Sequence, residues 1–119
     1  MSHDKTVIYH NPRCSKSRET LQILEDNNAS PDIIHYLDEP PNAQELNRII
    51  GMLGISARDL LRTTEQAYQD AELDNDSLSD EAIIEAICRH PVLLQRPIVV
   101  VGNKAVIGRP PNKVLDLIA

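Results

Sequence analysis

A mixed α/β fold is predicted by the order of strand-like and helix-like segments along these 119 residues. The chain begins with two β-branched, aromatic segments separated by an amphipathic helix, which is the length of a βαβ unit with parallel strands. It ends with two apolar segments joined by a Gly-Asn turn and followed by a helix, which predicts a ββα end. In the middle of the chain, apolar residues recur only with the spacing of helices. We therefore expect one domain over residues 1–119 with an all-helical insertion from about 42 to 94.

The first half contains the segments from which the βαβ unit is predicted. Thr6–His10 is β-branched and aromatic, which favours a buried strand, and Asn11-Pro12 ends it. Apolar residues from 15 to about 27 recur with the spacing of a helix packed on one side. Residues 33–37 predict the second strand.

The insertion is predicted from its helix caps. Asn42 is expected to cap a helix that ends at Gly54, and Ser56 and Ser79 are expected to start two further helices. Residues 68–78 are acidic and are expected to be irregular. After the insertion, a strand over residues 96–101, a return strand over 104–107 and a final helix complete the chain.

Composition limits the classes of function. The chain has no Trp and no Phe, so its core must be aliphatic, and its net charge of -6 argues against nucleic-acid binding. No apolar run is long enough to span a bilayer, and the N-terminus lacks the apolar stretch of a signal peptide. With two cysteines the chain is not a disulfide scaffold. We expect a cytoplasmic protein, and a monomer because no strong interface pattern is visible.

The segment around Cys14 is basic, although the chain as a whole is acidic. Arg13, Lys16 and Arg18 surround the cysteine, and no acidic residue lies between Lys5 and Arg18. A cysteine just before a helix meets free N–H groups and the positive end of the helix dipole, and nearby cations lower a thiol pKa further. We interpret Cys14 as an activated nucleophile rather than a small core residue.

The second cysteine is not part of a local dithiol motif. The spacing is Cys14-x-x-Ser17, so a disulfide at Cys14 requires either Cys88 or an external thiol. Cys88 follows an apolar residue on a predicted helix, and we interpret it as a helix residue at the edge of the core. A role for Cys88 as a resolving thiol stays open, because disulfide geometry cannot be read from spacing.

Three arginines are candidates for an oxyanion pocket. Arg62, Arg96 and Arg109 each follow an apolar stretch, and the last two precede prolines that bias them toward extended backbone. A guanidinium binds oxyanions through a planar set of donors. His10 is either structural or an aid to the thiolate. The histidines show no metal-ligand spacing, so we predict no metal.

Together these residues resemble the glutaredoxin-coupled arsenate reductases over nearly the whole chain. The matching motifs are His10-Asn11-Pro12-x-Cys14-x-x-Ser17-Arg18, Leu60-Leu61-Arg62, His90-Pro91, Arg96-Pro97-Ile98-Val99-Val100 and Arg109-Pro110. The resemblance implies a thioredoxin-like fold with a helical insertion and a cis peptide bond before Pro97. It implies that Cys14 attacks arsenate and that His10 and Ser17 support the thiolate. It also implies that three arginines bind the oxyanion, namely Arg62, Arg96 and Arg109.

The resemblance further implies that the reducing thiols come from outside the chain. Glutathione attacks the arsenate adduct of Cys14, glutaredoxin reduces the resulting mixed disulfide, and arsenite is the product. No bound cofactor is implied. The chain departs from the best-known members at Ser15-Lys16, where they have Gly-Thr after the catalytic cysteine.

Two alternatives keep the same fold. One is a glutathione-linked thiol oxidoreductase that uses Cys14 on another substrate, such as a glutathione mixed disulfide. The other is a non-enzymatic regulator resembling the Spx proteins, which bind RNA polymerase. Those regulators usually have Cys-x-x-Cys, whereas position 17 is serine here.

Overall fold

A computed structural model describes residues 5–118 of the chain. These residues form two compact units, one made of the residues before Pro40 together with those from Arg96 onward, and one made of Pro40–Gln95. The regular elements of the second unit are helical.

The first unit contains a four-stranded sheet. Its strands are β1 (Thr6–His10), β2 (Asp32–His35), β3 (Ile98–Val101) and β4 (Lys104–Ile107), in the spatial order β2-β1-β3-β4. Strands β1 and β2 are parallel, whereas β3 is antiparallel to both β1 and β4. This βαβ and ββα arrangement is the thioredoxin-like fold, and it confirms the predicted α/β class.

Five α-helices occur among residues 5–118. They are α1 (Ser15–Asp26), α2 (Ala43–Leu53), α3 (Gln66–Asp70), α4 (Asp80–Arg89) and α5 (Leu115–Ile118). Short 3-10 helices cover Ala57–Leu60, Pro91–Leu93 and Pro111–Val114.

The first unit contains an aliphatic core cluster, in line with the composition. A buried cluster joins the central strands to α1 and to the turn before α5 through Ile8, Leu24, Val99 and Val114, all of which have 0 % exposure. Burial of one such side chain stabilises a fold by about 1.5–3 kcal/mol. The cluster therefore fixes α1, and with it the loop at the N-terminal end of α1, against the sheet.

The predicted helix caps of the second unit are confirmed. The Asn42 side chain accepts a hydrogen bond from the N–H of Glu45 (2.8 Å), and the Ser79 hydroxyl accepts one from the N–H of Ala82 (3.1 Å). Gly54 ends α2 with a φ of 67°, a left-handed conformation that glycine adopts without strain.

Two segments differ from the predicted elements. The acidic segment expected to be irregular over residues 68–78 begins inside α3. The N–H of Leu73 donates to the carbonyl of Tyr68 (3.0 Å) and closes the turn after this short helix, and the Leu73 side chain is buried. Strand β2 ends at His35 rather than at residue 37, because the N–H groups of Asp38 and Glu39 both donate to the carbonyl of His35 (2.9 Å each) and close a turn.

The strand predicted from residue 96 begins two residues later. Pro97 has no N–H for a strand ladder, and β3 starts at Ile98. The Arg96–Pro97 peptide bond is cis, as the resemblance implies. The Arg109–Pro110 bond is also cis, which was not predicted.

Candidate active site

Strand pairing brings three sequence-distant segments to the end of the sheet at which β1 and β2 finish. His10 pairs with His35 in the parallel β1–β2 ladder, so the residues that follow them, Asn11 and Tyr36, leave the sheet at the same end. Tyr9 pairs with Ile98 in the antiparallel β1–β3 ladder, so the residues that precede Ile98, including Arg96, lie at this end as well. The loop from Asn11 to Cys14 begins here.

Cys14 is the N-cap residue of α1. Its backbone is extended (φ -95°, ψ 123°), and its thiol is half-buried. The carbonyl of Cys14 accepts the N–H of Arg18 (3.0 Å), and its own N–H donates to the carbonyl of Asn11 (3.0 Å). The sulfur therefore sits where the first N–H groups of the helix are unpaired within the helix.

Ser17 and His10 are placed against this loop. The Ser17 hydroxyl accepts the N–H of Asn11 (3.0 Å) and hydrogen-bonds with Nδ1 of His10 (2.7 Å). The Ser17 side chain has 0 % exposure. A second contact, from the N–H of Arg13 to Oδ1 of Asn11 (3.0 Å), tightens the turn that leads into Cys14.

The surroundings of Cys14 favour the thiolate. Burial by itself would raise the pKa of the thiol, but the N–H of Ser17, the Arg96 guanidinium and the N–H of Lys16 together lower the pKa below its ordinary value. A thiolate at neutral pH is the form that acts as a nucleophile. The geometry thus agrees with the charge pattern that first singled out Cys14.

The pKa of His10 is lowered in this setting. Burial is the main cause, and the charges of His35 and Arg18 add to it. The two imidazole rings meet edge to face, with centroids 6.0 Å apart. His10 is therefore neutral at pH 7, and its contact with Ser17 is a hydrogen bond between neutral groups.

Arg96 and Arg109 both lie at Cys14. Nη2 of Arg109 is 3.8 Å from the Cys14 sulfur, and its Nε donates to the carbonyl of Arg96 (2.8 Å). Nε and Nη1 of Arg96 are buried and have no hydrogen-bond partner among residues 5–118. Burial opposes the charge on Arg96, but Tyr36 and Cys14 outweigh burial and raise its pKa. Buried guanidinium donors without an acceptor are suited to bind an anion.

The structure also places three other predicted residues, which are Arg62, Pro97 and Cys88. Arg62 lies in the Pro40–Gln95 unit, where its N–H donates to the carbonyl of Leu93 (2.7 Å), and its binding of an oxyanion stays a prediction. Pro97 is buried, and its carbonyl accepts the N–H of Gly108 (2.9 Å). Cys88 is half-buried on α4, where burial and then Glu85 raise its pKa.

Tyr36 is the residue of this site that the sequence reasoning missed. Its side chain has 0 % exposure, and its hydroxyl has no hydrogen-bond partner of good geometry among residues 5–118. The prediction of a strand through residue 37 gave Tyr36 the role of a strand residue. Its place directly after β2, at the sheet end that carries Cys14, is seen only in the structure.

Within the described part of the chain, no group of three or more His, Cys, Asp or Glu side chains is arranged to hold a metal ion. No helix over residues 5–118 is both long and apolar enough to cross a membrane.

Comparison with known proteins gives consistent matches over nearly the whole chain. The ArsC family profile matches residues 9–117. The chain is 49 % identical over 112 residues to the uncharacterized protein YfgD of Escherichia coli, covering 93 % of this chain and 94 % of that one. It is 46 % identical over 113 residues to an arsenate reductase of Haemophilus influenzae, covering 94 % and 97 %. The solved structure of an arsenate reductase from Vibrio cholerae superposes with a TM-score of 0.93 at 44 % identity, covering 97 % of this chain and 98 % of that one.

Proposed function

The chain belongs to the ArsC family and is an oxidoreductase, and from that premise we propose that it reduces arsenate to arsenite through Cys14. The observation that carries the proposal is the combination of a thiol with a lowered pKa and buried arginine donors without an acceptor. A thiolate supplies the nucleophile, and the donors match the oxygens of a tetrahedral oxyanion.

The chemistry follows from these groups. The Cys14 thiolate attacks As(V), a sulfur–arsenic bond forms, and an arsenate oxygen leaves as hydroxide or, once protonated, as water. A glutathione thiolate then attacks the Cys14 sulfur, and the electron pair of the sulfur–arsenic bond leaves with arsenic. Arsenic is thereby reduced to As(III) and released as arsenite, while Cys14 carries a disulfide to glutathione.

Glutaredoxin reduces the mixed disulfide and returns Cys14 to the thiol. Glutathione and glutaredoxin are external reductants, and no cofactor is bound by the chain. We place the reaction in the cytoplasm, where thiols are kept reduced, and propose a monomer.

Oxyanion binding by the three arginines is proposed on different grounds. Arg109 and Arg96 are argued from the 3.8 Å contact to the Cys14 sulfur and from the buried Nε and Nη1. Arg62 is argued from its motif alone. A guanidinium holds two oxygens in fixed directions, which orients arsenate for attack by the thiolate.

A second candidate substrate is a glutathione mixed disulfide. It is favoured by the exposed cations Arg13 and Lys16, which flank Cys14 and would attract the carboxylates of glutathione. With this substrate, the Cys14 thiolate would attack a sulfur atom of the mixed disulfide in place of arsenic.

One coupled assay tests both candidates. Purified protein is given arsenate, glutathione, glutaredoxin and an NADPH-coupled glutathione reductase, beside a Cys14→Ser variant. We expect arsenate-dependent oxidation of NADPH that is lost in Cys14→Ser. Absence of arsenate turnover, while a glutathione mixed disulfide is reduced in a Cys14-dependent way, would replace arsenate with the second substrate.

Reactivity of the thiol is measured separately from turnover. Because its pKa is lowered, Cys14 should be alkylated by iodoacetamide at a pH where Cys88, whose pKa is raised, reacts slowly. Peptide mass spectrometry distinguishes the two sites. Equal rates at both cysteines across the pH range would contradict the assignment of Cys14 as the activated thiol.

A further inference from the structure

The Tyr36 hydroxyl is a buried polar group that makes no hydrogen bond of good geometry within the described residues. Its side chain has 0 % exposure, and no acceptor or donor with good hydrogen-bond geometry faces the hydroxyl within residues 5–118. Burying a hydroxyl without a partner is unfavourable, and buried tyrosine hydroxyls usually find one. The arrangement needs an explanation beyond packing, because a phenylalanine ring would fill the same volume.

The position of Tyr36 relates this hydroxyl to Cys14. Tyr36 directly follows β2, and the pairing of His10 with His35 places it at the sheet end where the Cys14 loop begins. Arg96 acts on its ionisation both by charge and as a hydrogen-bonding neighbour, Asn11 acts as a second hydrogen-bonding neighbour, and Cys14 acts by charge. Burial dominates and raises the pKa of Tyr36, so the hydroxyl keeps its proton and remains a donor at neutral pH.

Arg96, a neighbour of Tyr36, also has buried donor atoms that make no hydrogen bond of good geometry among residues 5–118. Nε and Nη1 of Arg96 are buried and make no hydrogen bond of good geometry within the described residues, although Cys14 and Tyr36 are hydrogen-bonding neighbours of the guanidinium. With the Tyr36 hydroxyl, three buried donor atoms at this end of the sheet are therefore incompletely satisfied by the protein. A set of donors without acceptors is completed by a ligand that brings oxygens with lone pairs. A tetrahedral oxyanion at the Cys14 sulfur has several such oxygens.

We propose that the Tyr36 hydroxyl binds the oxyanion directly, donating a hydrogen bond to one of its oxygens next to Arg96. This inference rests on the proposed binding of an oxyanion at Cys14 and adds a neutral donor to the arginines. A neutral donor contributes direction without adding charge, so it favours an anion whose oxygen lies at one position. Tyr36 is thus a substrate-binding residue that the family motifs quoted above do not include.

The test is the Tyr36→Phe variant, which removes only the hydroxyl. Removing a buried group that lacks a partner leaves the free protein equally or more stable, so its thermal midpoint should stay the same or rise. Anion affinity should fall about ten-fold, as expected for the loss of a hydrogen bond to a charged group. Affinity is measured as the concentration of arsenate, or of sulfate, that halves the rate of Cys14 alkylation.

A matched control and the wild-type result separate the possible failures. Tyr68→Phe makes the same atomic change on α3 and should leave anion protection unchanged. If wild type is protected and Tyr36→Phe is protected equally well, Tyr36 does not bind the anion although the proposed function stands. If Tyr36→Phe lowers the thermal midpoint, the hydroxyl has a structural partner and the inference fails. If neither anion protects wild type, oxyanion binding at Cys14 fails and this inference fails with it.

Discussion

Ser17 organises the loop that carries the reactive thiol. Its hydroxyl accepts the N–H of Asn11 and hydrogen-bonds with Nδ1 of His10, so one oxygen joins the end of β1 to the first turn of α1. A cysteine sulfur is a weaker hydrogen-bonding group and would make these contacts poorly. Serine at this position therefore fits a single-thiol mechanism, because the oxygen that holds the loop replaces a second thiol.

Replacing Ser17 should weaken the fold measurably. Ser17→Ala leaves the N–H of Asn11 and Nδ1 of His10 buried without this partner, which should reduce the free energy of unfolding by about 1–3 kcal/mol. Ser15→Ala is the control, since Ser15 is exposed at the start of the same helix and should change stability by no more than about 0.5 kcal/mol. Urea unfolding measures both variants, and equal effects would show that the Ser17 network does not stabilise the loop.

The site residues differ in how far sequence could identify them. Cys14 was identified because cations lie close to it in sequence and because it directly precedes a helix. Arg96 and Arg109 were candidates because each follows an apolar stretch and precedes a proline, and because the resemblance implies their role. Their approach to Cys14 could not be predicted from local sequence, since it depends on β3 and β4 pairing beside β1. Tyr36 escaped because an aromatic residue in a β-branched segment is also typical of an ordinary strand.

Gly108 joins three elements at a point where no side chain fits. Its N–H donates to the carbonyl of Pro97 (2.9 Å), just after β4 ends. A Cβ at Gly108 would lie 2.5 Å from Oγ1 of Thr20 on α1 and 2.8 Å from Cγ of Pro97. The next residue, Arg109, reaches the Arg96 carbonyl and the Cys14 sulfur. The close approach at Gly108 therefore sets the position of the Arg109 backbone.

Adding a methyl group at Gly108 should disturb both stability and anion binding. Gly108→Ala forces α1 and Pro97 apart, which should cost about 1–3 kcal/mol of stability and displace the Arg109 guanidinium from Cys14. Protection of Cys14 by sulfate against alkylation should weaken in parallel. Gly51→Ala is the control, because nothing lies within 4 Å of a Cβ there and alanine favours the α2 helix by about 0.5–1 kcal/mol.

A second substitution separates crowding from other effects of the methyl group. Thr20→Ala removes the Oγ1 atom that the new Cβ would meet at 2.5 Å. Combined with Gly108→Ala, it should restore part of the lost anion protection. A double variant that binds sulfate no better than Gly108→Ala alone would contradict this role of Gly108.

Elements with local signals were predicted well, and elements defined by distant contacts were not. The caps at Asn42 and Ser79 and the turn at Gly54 are encoded within a few residues, and the structure contains all three. The end of β2 and the single turn of α3 depend on a closing turn after His35 and on the turn that the N–H of Leu73 closes. Neither feature has a periodic pattern in the sequence.

The charge of the whole molecule and that of its site have opposite signs. The net charge is -6, yet Arg96 and Arg109 lie at Cys14. At physiological ionic strength, interactions between exposed charges are screened over about 8 Å, so distant surface carboxylates contribute little at the sulfur. Buried donors are screened much less. Anion binding is therefore decided by the groups at the sheet end, and overall acidity limits mainly nucleic-acid partners.

The two cysteines belong to different compact units and have opposite pKa shifts. Cys14 lies in the unit that contains the sheet, and its pKa is lowered. Cys88 lies on α4 in the Pro40–Gln95 unit, where burial and Glu85 raise its pKa. A thiol with a raised pKa is a poor attacking group at neutral pH. Resolution of a Cys14 adduct is thus expected to require a thiol from outside the chain.

Removal of Cys88 tests that expectation on the intact protein. Cys88→Ala should keep the wild-type rate of glutathione-dependent arsenate reduction, because an external thiolate and not Cys88 attacks the Cys14 sulfur. With glutathione present and glutaredoxin omitted, mass spectrometry after one turnover should find one glutathione on Cys14 in both wild type and Cys88→Ala. A Cys14–Cys88 disulfide in the wild type, together with a loss of turnover in Cys88→Ala, would identify Cys88 as the resolving thiol. Glutathione would then serve only to reduce that disulfide.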